Sequence, residues 1–291
     1  MKICILGPKL KSVSYTTKRL VEEGSKNFKI DLIPLTSIKL KIGEEIDALY
    51  KNESLREYDY ILPRIDAVRA QVGYPVMRFL DDMGVKKPYV AETIIIAHNK
   101  FITLEELAKK GVPVPETYMT GSKHSAIEII EKIDLPLILK LLSGFGGQGV
   151  MMADNKDVAE SIIDTMNILK QQILIEKYIP NPHEDIRGIV AGDEIIASFK
   201  RVASENDFRA NIKAGGKGVP FKLSEEMKEL TFKSAEAIKS RLCAVDMIQD
   251  NEGKVKVIEV NINPGFRGIE KATNINVAKR VIEFIKKEIK S

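Results

Sequence analysis

The sequence predicts an α/β protein that begins with a parallel-sheet domain and continues as a mixed α+β structure. Within residues 1–95, strand-like and helix-like segments alternate, which is the pattern of a parallel sheet with crossover helices. The segment Val112-Pro113-Val114-Pro115 cannot be helical and indicates a linker. The last third contains long alternating strands joined by a turn at Asp250-Asn251-Glu252-Gly253. We therefore predict three parts, which comprise residues 1–95, 96–180 and 181–291.

The elements of the first part follow from its apolar runs and its helical periodicity. The predicted strands are Ile3–Leu6, Phe28–Leu35, Tyr58–Pro63 and the short Pro88–Val90, and the predicted helices are Ser14–Glu23 and Tyr74–Met83. Gly7-Pro8 follows the first strand, but the second and third glycines of a dinucleotide fingerprint are missing. The first part is thus predicted to have a parallel sheet without that fingerprint.

The second and third parts combine strands with helices in the same way. A helix over Asn99–Lys110 ends before Gly111, a favourable residue after a helix C-terminus. The second part is predicted to contain strands Glu116–Met119, Leu137–Leu141, Val150–Ala153 and Ile173–Tyr178 and helices Ser125–Lys132 and Asp157–Leu169. The third part is predicted to contain strands Asp185–Val190, Glu194–Val202, Ala244–Gln249 and Lys254–Ile262 and helices Glu225–Arg241 and Ile275–Ile289.

The composition excludes several classes of function. The 45 basic and 41 acidic residues give a net charge of +4, and no long basic block indicates nucleic-acid binding. No apolar run reaches the roughly 20 residues of a membrane helix, and the N-terminus lacks the apolar length of a signal peptide. We therefore expect a cytoplasmic protein. Cys4 and Cys243 are predicted core residues, and the three histidines lack the spacing of zinc ligands.

The strongest chemical signal is a group of polar side chains on the two strands of the last hairpin. Side chains alternate between the faces of a strand, so Glu259 and Asn261 share a face, and Asp246 lies within the apolar strand before them. Pairing across the hairpin would bring two carboxylates together in an apolar sheet, where they repel each other. A cation removes that repulsion, and these oxygen ligands suit Mg²⁺ or Mn²⁺. The alternative is that these groups face solvent or pair with Lys or Arg.

A glycine-rich loop follows the strand that ends at Lys140. Four glycines within Ser143–Gly149 allow backbone N–H groups to approach phosphates closely. The loop is not a P-loop, because no Gly-Lys-Ser/Thr follows. Lys140 ends an apolar strand, where a lysine requires an anion. The alternative is a flexible hairpin loop without a ligand.

The stretch Glu176-Lys177-Tyr178-Ile179 ends another apolar strand with a charged pair and an aromatic residue. Its backbone can pair with an adenine edge, although an ordinary strand end explains the isolated stretch more simply.

Basic residues recur at a spacing of two in the third part. Arg187 shares a strand face with Asp185, Arg201 shares one with Phe199, and Arg209 and Asn211 share one if their stretch is extended. Such a cluster beside Asp246 and Glu259 suits the stabilisation of a transferring phosphoryl group. The alternative is a surface ion-pair network.

Taken in order, these motifs resemble the ATP-grasp ligases, and among them the RimK-like group of glutamate ligases. The residues that carry the resemblance are Asn99-Lys100, Gly111 to Pro115, Lys140, Ser143 to Val150, Glu176 to Ile179, Asp185-Ile186-Arg187, Phe208 to Asn211, Val245-Asp246 and Glu259 to Gly265. The match runs from about residue 95 to the C-terminus, and the residues before it look like the family's pre-ATP-grasp domain. The resemblance implies an ATP-grasp fold with the nucleotide bound between two sheets.

The resemblance also implies a role for each matching residue in the binding of ATP and metal. The residues that would contact ATP are Lys100, Lys140, Ser143, Gly144, Gly146, Gly147, Gly149, Lys200, Arg209 and Asn211. Those that would hold adenine are Glu176, Lys177, Tyr178 and Ile179, with Asp185 at the ribose. Asp246, Glu259 and Asn261 would hold two Mg²⁺ or Mn²⁺ ions, with Glu259 bridging them.

In catalysis, Lys140, Arg209 and Asn211 would act at the γ-phosphate and at an acyl phosphate, so that ADP is the product. The substrates implied are L-glutamate and an anionic carboxylate acceptor, which Arg187, Arg201, Gly265 and Arg267 would bind. Phe266-Arg267 departs from the RimK pattern, in which we expect an apolar residue followed by an acid. The basic residue disfavours a ribosomal-protein acceptor and favours an acceptor with an additional anionic group.

Within the family, the sequence looks most like the archaeal ligases that add α-L-glutamate to tetrahydromethanopterin. Abundant Lys and Glu with few thermolabile amides such as Gln, a composition reported for hyperthermophiles, supports such a source. The alternatives are glutamate ligases that act on a deazaflavin coenzyme or on a protein C-terminus, ligases of the amino-group carrier in lysine biosynthesis, and a nucleotide-binding regulatory protein without enzyme activity. The sequence leaves open whether the chain forms a homo-oligomer.

Overall fold

The computed structural model describes residues 1–7, 13–142, 148–204, 210 and 215–291. Within these ranges the chain forms a parallel sheet and a small antiparallel sheet at the N-terminus, then two linker helices, and then two larger antiparallel sheets one after the other. The α/β class with an N-terminal parallel sheet is therefore confirmed. No described helix has both the length and the apolar character needed to cross a membrane.

The N-terminal part is built on a three-stranded parallel sheet in the order β2-β1-β6. Its elements are β1 (Lys2–Leu6), α1 (Tyr15–Gly24), β2 (Lys29–Ile33), β3 (Lys39–Lys41), β4 (Asp47–Tyr50), β5 (Glu53–Ser54), β6 (Tyr60–Pro63) and α2 (Ala70–Asp82). Leu20 of α1 packs with Ile3 and Ile5 on one face of the sheet, and Met77 of α2 belongs to the core on the other face. The two helices thus cover opposite faces, as crossover connections require.

Two features of this part differ from the sequence prediction. Strands β3, β4 and β5 form a separate antiparallel sheet, which was missed because each strand is too short for its alternation to be recognised. The predicted strand Pro88–Val90 is wrong: Tyr89 makes only an isolated bridge to Ser240. This stretch joins the first part to the third, because the Arg241 N–H also donates to the Pro88 carbonyl.

Two helices connect the first part to the rest, α3 (Glu92–His98) and α4 (Lys100–Lys109). Only α4 was predicted. Asn99 separates them because it is extended, and its side-chain oxygen accepts hydrogen bonds from the backbone N–H groups of Phe101 and Ile102. The chain therefore turns at Asn99, and Lys100 begins a capped helix.

The second part is a four-stranded antiparallel sheet in the order β7-β10-β8-β9. Its elements are β7 (Thr117–Thr120), α5 (Lys123–Ile130), β8 (Leu137–Lys140), β9 (Val150–Ala153), α6 (Lys156–Ile168) and β10 (Ile173–Lys177). Leu137, Leu139, Ile173 and Ile175 face the core that α5 and α6 complete. Strand alternation therefore places Lys140 and Glu176 on the opposite face.

The third part is a five-stranded antiparallel sheet in the order β13-β12-β11-β14-β15. Its elements are β11 (Glu184–Ala191), β12 (Glu194–Val202), β13 (Lys217–Pro220), α7 (Glu225–Ala237), β14 (Leu242–Gln249), β15 (Val255–Asn261), α8 (Arg267–Thr273) and α9 (Val277–Lys290). Met227 and Leu230 of α7 share a core with Met247 and Val257, so α7 covers one face. The sequence did not predict β13 or α8.

The other face of the large sheet is divided between apolar and charged residues. Toward one end, Ile189 and Ala244 share a core with Val281 of α9 and Leu20 of α1. The first and third parts are therefore joined by a common core rather than by a linker alone. Toward the other end, the same face carries the charged side chains described next.

Candidate active site

A cavity of about 250 Å³ lies where the parts of the chain meet. The first part contributes Asp66, the linker helices contribute His98 and Lys100, and the second part contributes Leu142 from the end of β8. The remaining wall is the edge strand β15 and the residues after it, Ile258–Asn263. Ligand sites usually have volumes of roughly 300–1,000 Å³, so this cavity suits one portion of a nucleotide, such as its phosphates.

Lys100 brings positive charge to the cavity in two ways. Its side chain lines the wall, and Lys100 is also the first residue of α4, at the positive end of the helix dipole. Such a helix start favours anions, and phosphate is a common one.

Glu259 and Asn261 line the same cavity from β15. They are two residues apart on one strand, and Glu259 pairs with Asp246 of β14 in the sheet register. A register shift follows Asp246, which leaves Ile258 as the extra residue on β15. Glu259 and Asn261 therefore share a face of the sheet, as the strand alternation predicted.

Asp246 is held by two arginines. The Arg187 guanidinium donates from Nε to Oδ1 and from Nη2 to Oδ2, each at 2.6 Å, and Arg201 Nη2 donates to Oδ2 at 2.8 Å. Arg201 also forms a bidentate pair with Asp185, with Nη2 at 2.7 Å from Oδ2. The register explains this network, because Arg187 lies directly opposite Asp246 and Arg201 directly opposite Asp185.

Most of this network is removed from water: Asp246, Arg201 and Asp185 are 1%, 3% and 6% exposed. Burial opposes the ionisation of Asp246, but the charges of Arg187 and Arg201 outweigh it and lower its pKa to about 2. Burial raises the pKa of Asp185 to about 6 against the attraction of Arg201, and the neighbouring Asp246 charge adds to that rise. Arg201 therefore neutralises two carboxylates that would otherwise repel each other.

In the sheet of the second part, Lys140 pairs with Glu176 on the face that lies opposite α5 and α6. The Lys140 ammonium lies 2.6 Å from Glu176 Oε1, and Glu176 is 5% exposed. The other carboxylate oxygen, Oε2, is buried and accepts no hydrogen bond from any described residue. A buried acceptor without a donor costs free energy, so a ligand donor is expected at this point.

The residues after Glu176 connect the second sheet to the third. Lys177 is exposed, and its ammonium lies 3.5 Å from an oxygen of Asp134. Burial raises the pKa of the half-buried Tyr178. Ile179 is buried, and its carbonyl accepts a hydrogen bond from the Asn181 amide at 2.9 Å.

Comparison with known families identifies the chain. The model of the RimK-like ATP-grasp domain matches residues 97–285, and that of the RimK pre-ATP-grasp domain matches residues 1–94. The chain belongs to the RimK-like ATP-grasp family. It is accordingly an ATP-grasp ligase that forms a carbon–nitrogen bond, and the resemblance stated from its motifs is confirmed.

Similar proteins agree with this assignment. A probable alpha-L-glutamate ligase of Maridesulfovibrio salexigens is 35% identical over 99% of this chain and 96% of its own length. A protein of the same description from Legionella pneumophila is 37% identical over 81% of this chain and 78% of its own. The ATP-grasp ligase PsnB, solved with a precursor variant, Mg and ADP, superposes with a TM-score of 0.78 at 16% identity and covers 99% of this chain and 98% of its own.

The family models and the similar solved structure therefore confirm the ATP-grasp fold that the motifs predicted. Both of these glutamate ligase relatives are bacterial, so they lend no support to the archaeal source expected from composition.

For three predicted site residues, the structure has a different arrangement from the expected one. Asp246 was predicted as a metal ligand, and Arg187 and Arg201 as substrate-binding groups. Instead, both arginines donate hydrogen bonds to Asp246. This is the alternative stated from the sequence, in which the acid pairs with Lys or Arg. The reason is the antiparallel register, which places these opposite charges side by side within one face of the sheet.

Lys200 does not join this network either. It neighbours Arg201 on β12, so its side chain leaves the sheet on the opposite face. There its ammonium pairs with Glu184 at 2.6 Å and lies 5.0 Å from the centre of the Phe221 ring.

Gly265 and Arg267 follow β15. Gly265 is exposed, with open space where a side chain would begin. Arg267 is exposed and stacks on the Tyr15 ring of α1, 4.9 Å from its centre. Gly149 has the left-handed φ of +74°, and its carbonyl accepts a hydrogen bond from the Leu141 N–H. The remaining predicted site residues lie outside the described residues: Ser143, Gly144, Gly146, Gly147, Arg209 and Asn211.

Sequence reasoning missed two residues near the cavity, His98 and Arg64. His98 lines the wall, its ring Nε2 lies 3.0 Å from the Ile65 carbonyl, and burial lowers its pKa. A neutral ring that donates from Nε2 explains this contact. Arg64 directly follows β6. Its position could have indicated a binding residue from the sequence, because ligands bind at the carboxyl ends of parallel strands.

The buried network yields a prediction about stability. Arg201→Met should lower the free energy of unfolding by about 3–5 kcal/mol at pH 7.5, because it leaves two buried carboxylates without their shared cation. Urea unfolding followed by circular dichroism measures this. Removing the cation raises the folded-state pKa of the buried carboxylates, so the folded variant takes up protons before its unfolded chain does as the pH falls. The loss of unfolding free energy should therefore be smaller near pH 5 than at pH 7.5.

The matched control is Arg241→Met. Arg241 also pairs with two carboxylates, those of Asp193 and Glu288, but its side chain is 48% exposed. Water screens such a pair, so the control should lose less than about 1 kcal/mol. Equal losses in the two variants would contradict the stabilising role given to Arg201.

Proposed function

We propose that the chain is an ADP-forming ligase that adds L-glutamate to the carboxylate of an acceptor through an acyl phosphate. The observation that carries the proposal is the cavity in which Lys100, Glu259 and Asn261 come from different parts of the chain. A cation at a helix start and oxygen ligands on an edge strand are the groups that phosphoryl transfer needs to neutralise charge. The relatives described as probable alpha-L-glutamate ligases support glutamate as the amine.

The second sheet supports the binding of ATP. The unpartnered Glu176 Oε2 fits a donor such as the 6-amino group of adenine. We propose that Glu176, Lys177, Tyr178 and Ile179 hold the adenine. Lys140, which is half-buried beside Glu176, and Lys100 would contact the phosphates. Asp185 is left out of the ribose site, because Arg201 holds both of its oxygens.

The oxygen ligands on β15 fit a Mg²⁺ ion that is shared with the phosphates. In the part of the chain that the structure describes, no three His, Cys, Asp or Glu side chains gather as metal ligands. Nucleotide-bound Mg²⁺ needs only one or two protein carboxylates, and Glu259 with the Asn261 amide oxygen meets that need. When bound, the ion would polarise the phosphoryl oxygens. Mn²⁺ accepts the same ligands, and a second ion would require Arg187 to release Asp246.

The residues of the chain then have three tasks in the reaction. Lys100 and Lys140 orient the triphosphate and offset its charge as the γ-phosphoryl group moves to the acceptor carboxylate. The walls contributed by Leu142 and His98 exclude water, which would otherwise hydrolyse the acyl phosphate. The amine of L-glutamate attacks the acyl carbon, phosphate leaves, and an amide and ADP are the products.

For the acceptor we propose tetrahydromethanopterin, with a deazaflavin coenzyme as the next candidate. The exposed Arg267, in a position where RimK proteins carry an acid, supports an acceptor with an additional anionic group. Its guanidinium is fixed on the Tyr15 ring, so the charge has a defined position beside Gly265.

Replacing the Glu259 carboxylate tests the metal site. Glu259→Gln should lower turnover by roughly 100-fold or more and raise the Mg²⁺ concentration needed for half-maximal activity, because an amide is a neutral and weaker ligand. ADP release in a coupled assay measures both. The control is Glu252→Gln in the exposed turn between β14 and β15, which should leave turnover unchanged. Turnover near the wild-type value in Glu259→Gln would remove Glu259 from the site.

The acceptor is tested by incubating the protein with ATP, Mg²⁺, L-glutamate and each candidate acceptor, followed by mass spectrometry. We expect a product heavier by one or more glutamyl residues with tetrahydromethanopterin, together with ADP that forms only when both substrates are present. EDTA should abolish both. ADP formation without a glutamylated product from any candidate acceptor would contradict the proposal that L-glutamate is the amine substrate. Nucleotide binding without turnover would favour a regulatory protein.

A further inference from the structure

Arg64 lies where the N-terminal sheet faces the proposed reaction site. It directly follows β6, and its N–H donates to the Leu6 carbonyl at the end of β1 at 2.7 Å. The two strand ends are tightly apposed: a side chain at Gly7 would begin 2.4 Å from the Arg64 carbonyl oxygen, and Gly7 has a φ of +134°. The backbone at Arg64 is therefore firmly positioned at the carboxyl end of the parallel sheet, where ligands of such sheets bind.

The Arg64 side chain reaches from the first part to the segment after β15. Its Nη2 donates to the carbonyl of Asn263 at 3.4 Å and to that of Pro264 at 3.2 Å. The next residue is Gly265, which is exposed beside open space. The guanidinium is thus fixed by two backbone carbonyls next to the position where the family resemblance implies substrate binding.

The charge of Arg64 has no counterpart among the residues that the structure describes. No described Asp or Glu pairs with it, and its Nε and Nη1 hydrogens have no described acceptor. Burial lowers its pKa to about 10, so it stays protonated at neutral pH although the surrounding protein disfavours the charge. Neutral carbonyls offset only part of that cost, whereas the buried Arg201 is paired with two carboxylates, those of Asp185 and Asp246.

A purely structural role would be to dock the first part onto the segment after β15. That role does not need a positive charge, and Nη2 alone fulfils it. The Arg64 side chain is only half-buried, and it contacts Asn263, which lines the cavity.

We propose that Arg64 binds a substrate carboxylate that is not the one being activated. The inference rests on the ligase function proposed above, in which such a carboxylate comes from either of two sources. L-glutamate keeps both of its carboxylates when its amine reacts, and an anionic acceptor keeps any carboxylate that is not phosphorylated. In both cases the guanidinium donates charge-assisted hydrogen bonds to carboxylate oxygens and sets the distance between the amine and the acyl carbon.

The test measures binding separately from turnover. Isothermal titration of the protein, saturated with Mg²⁺ and the non-hydrolysable AMPPNP, gives the affinities for L-glutamate and for tetrahydromethanopterin. Arg64→Met should weaken one of them by roughly 10- to 100-fold, the effect of losing charge-assisted hydrogen bonds. Arg64→Lys keeps the charge and should weaken the same ligand less. Arg56→Met is the control, because Arg56 also donates only to backbone carbonyls, those of Met83 and Ile46, and lies away from the site.

Analogues distinguish charge recognition from docking. L-glutamine and L-isoglutamine each replace one carboxylate of glutamate by a neutral amide. If Arg64 holds that carboxylate, the analogue should bind wild type more weakly than glutamate does, and Arg64→Met should weaken the analogue no further.

Each result decides the inference. Weaker binding of L-glutamate alone identifies the amino acid as the source of the carboxylate, and weaker binding of tetrahydromethanopterin alone identifies the acceptor. Unchanged affinities in Arg64→Met, equal losses for both ligands and for the amide analogues, or a wild-type protein that binds neither ligand would overturn it. Failure of the ligase function is seen separately, as ligand binding to wild type without ADP formation in the turnover assay.

Discussion

The central constraint on this structure is that strand alternation gathers charged side chains on one face of an antiparallel sheet. Asp185, Arg187, Arg201 and Asp246 come from three neighbouring strands, and the register places each cation opposite an anion. Because Asp246 and Arg201 are almost fully buried, each requires opposite charges beside it, which Arg187 and Arg201 supply to Asp246 and the two carboxylates supply to Arg201. The charged half of this face carries two acids and two bases, and the apolar half of the same face packs on α9.

The same sheet also fixes the reaction site. Its edge strand β15 presents Glu259 and Asn261 to a cavity whose other walls are the start of α4, the end of β8 and the loop after β6. The core shared by α1, α9 and the large sheet holds the first part against the third, so Arg64 and Gly265 are kept close together. Side chains from different parts of the chain thereby meet in one place, which the proposed bond formation between two substrates requires.

Much of this could be predicted from the sequence, because it depends on local patterns. Alternation identified β15 and the shared face of Glu259 and Asn261, and the order of spaced motifs identified the family. The partners of Asp246 were not predictable, since a register between distant strands decides whether an acid meets a metal or an arginine. Arg64 follows a predicted strand, but the carbonyls that hold its side chain belong to Asn263 and Pro264, which are remote in sequence and were not predictable as its partners.

The most direct test of the account is the fate of oxygen from the acceptor carboxylate. With an acceptor labelled with ¹⁸O in that carboxylate, ATP, Mg²⁺ and L-glutamate, an acyl phosphate intermediate transfers one labelled oxygen to inorganic phosphate, and ADP accumulates. Mass spectrometry of the phosphate after one turnover measures the transfer. The account predicts labelled phosphate and ADP in equal amounts. Formation of AMP and pyrophosphate, with the label in AMP, would show an acyl adenylate and contradict the phosphoryl-transfer role assigned to the cavity.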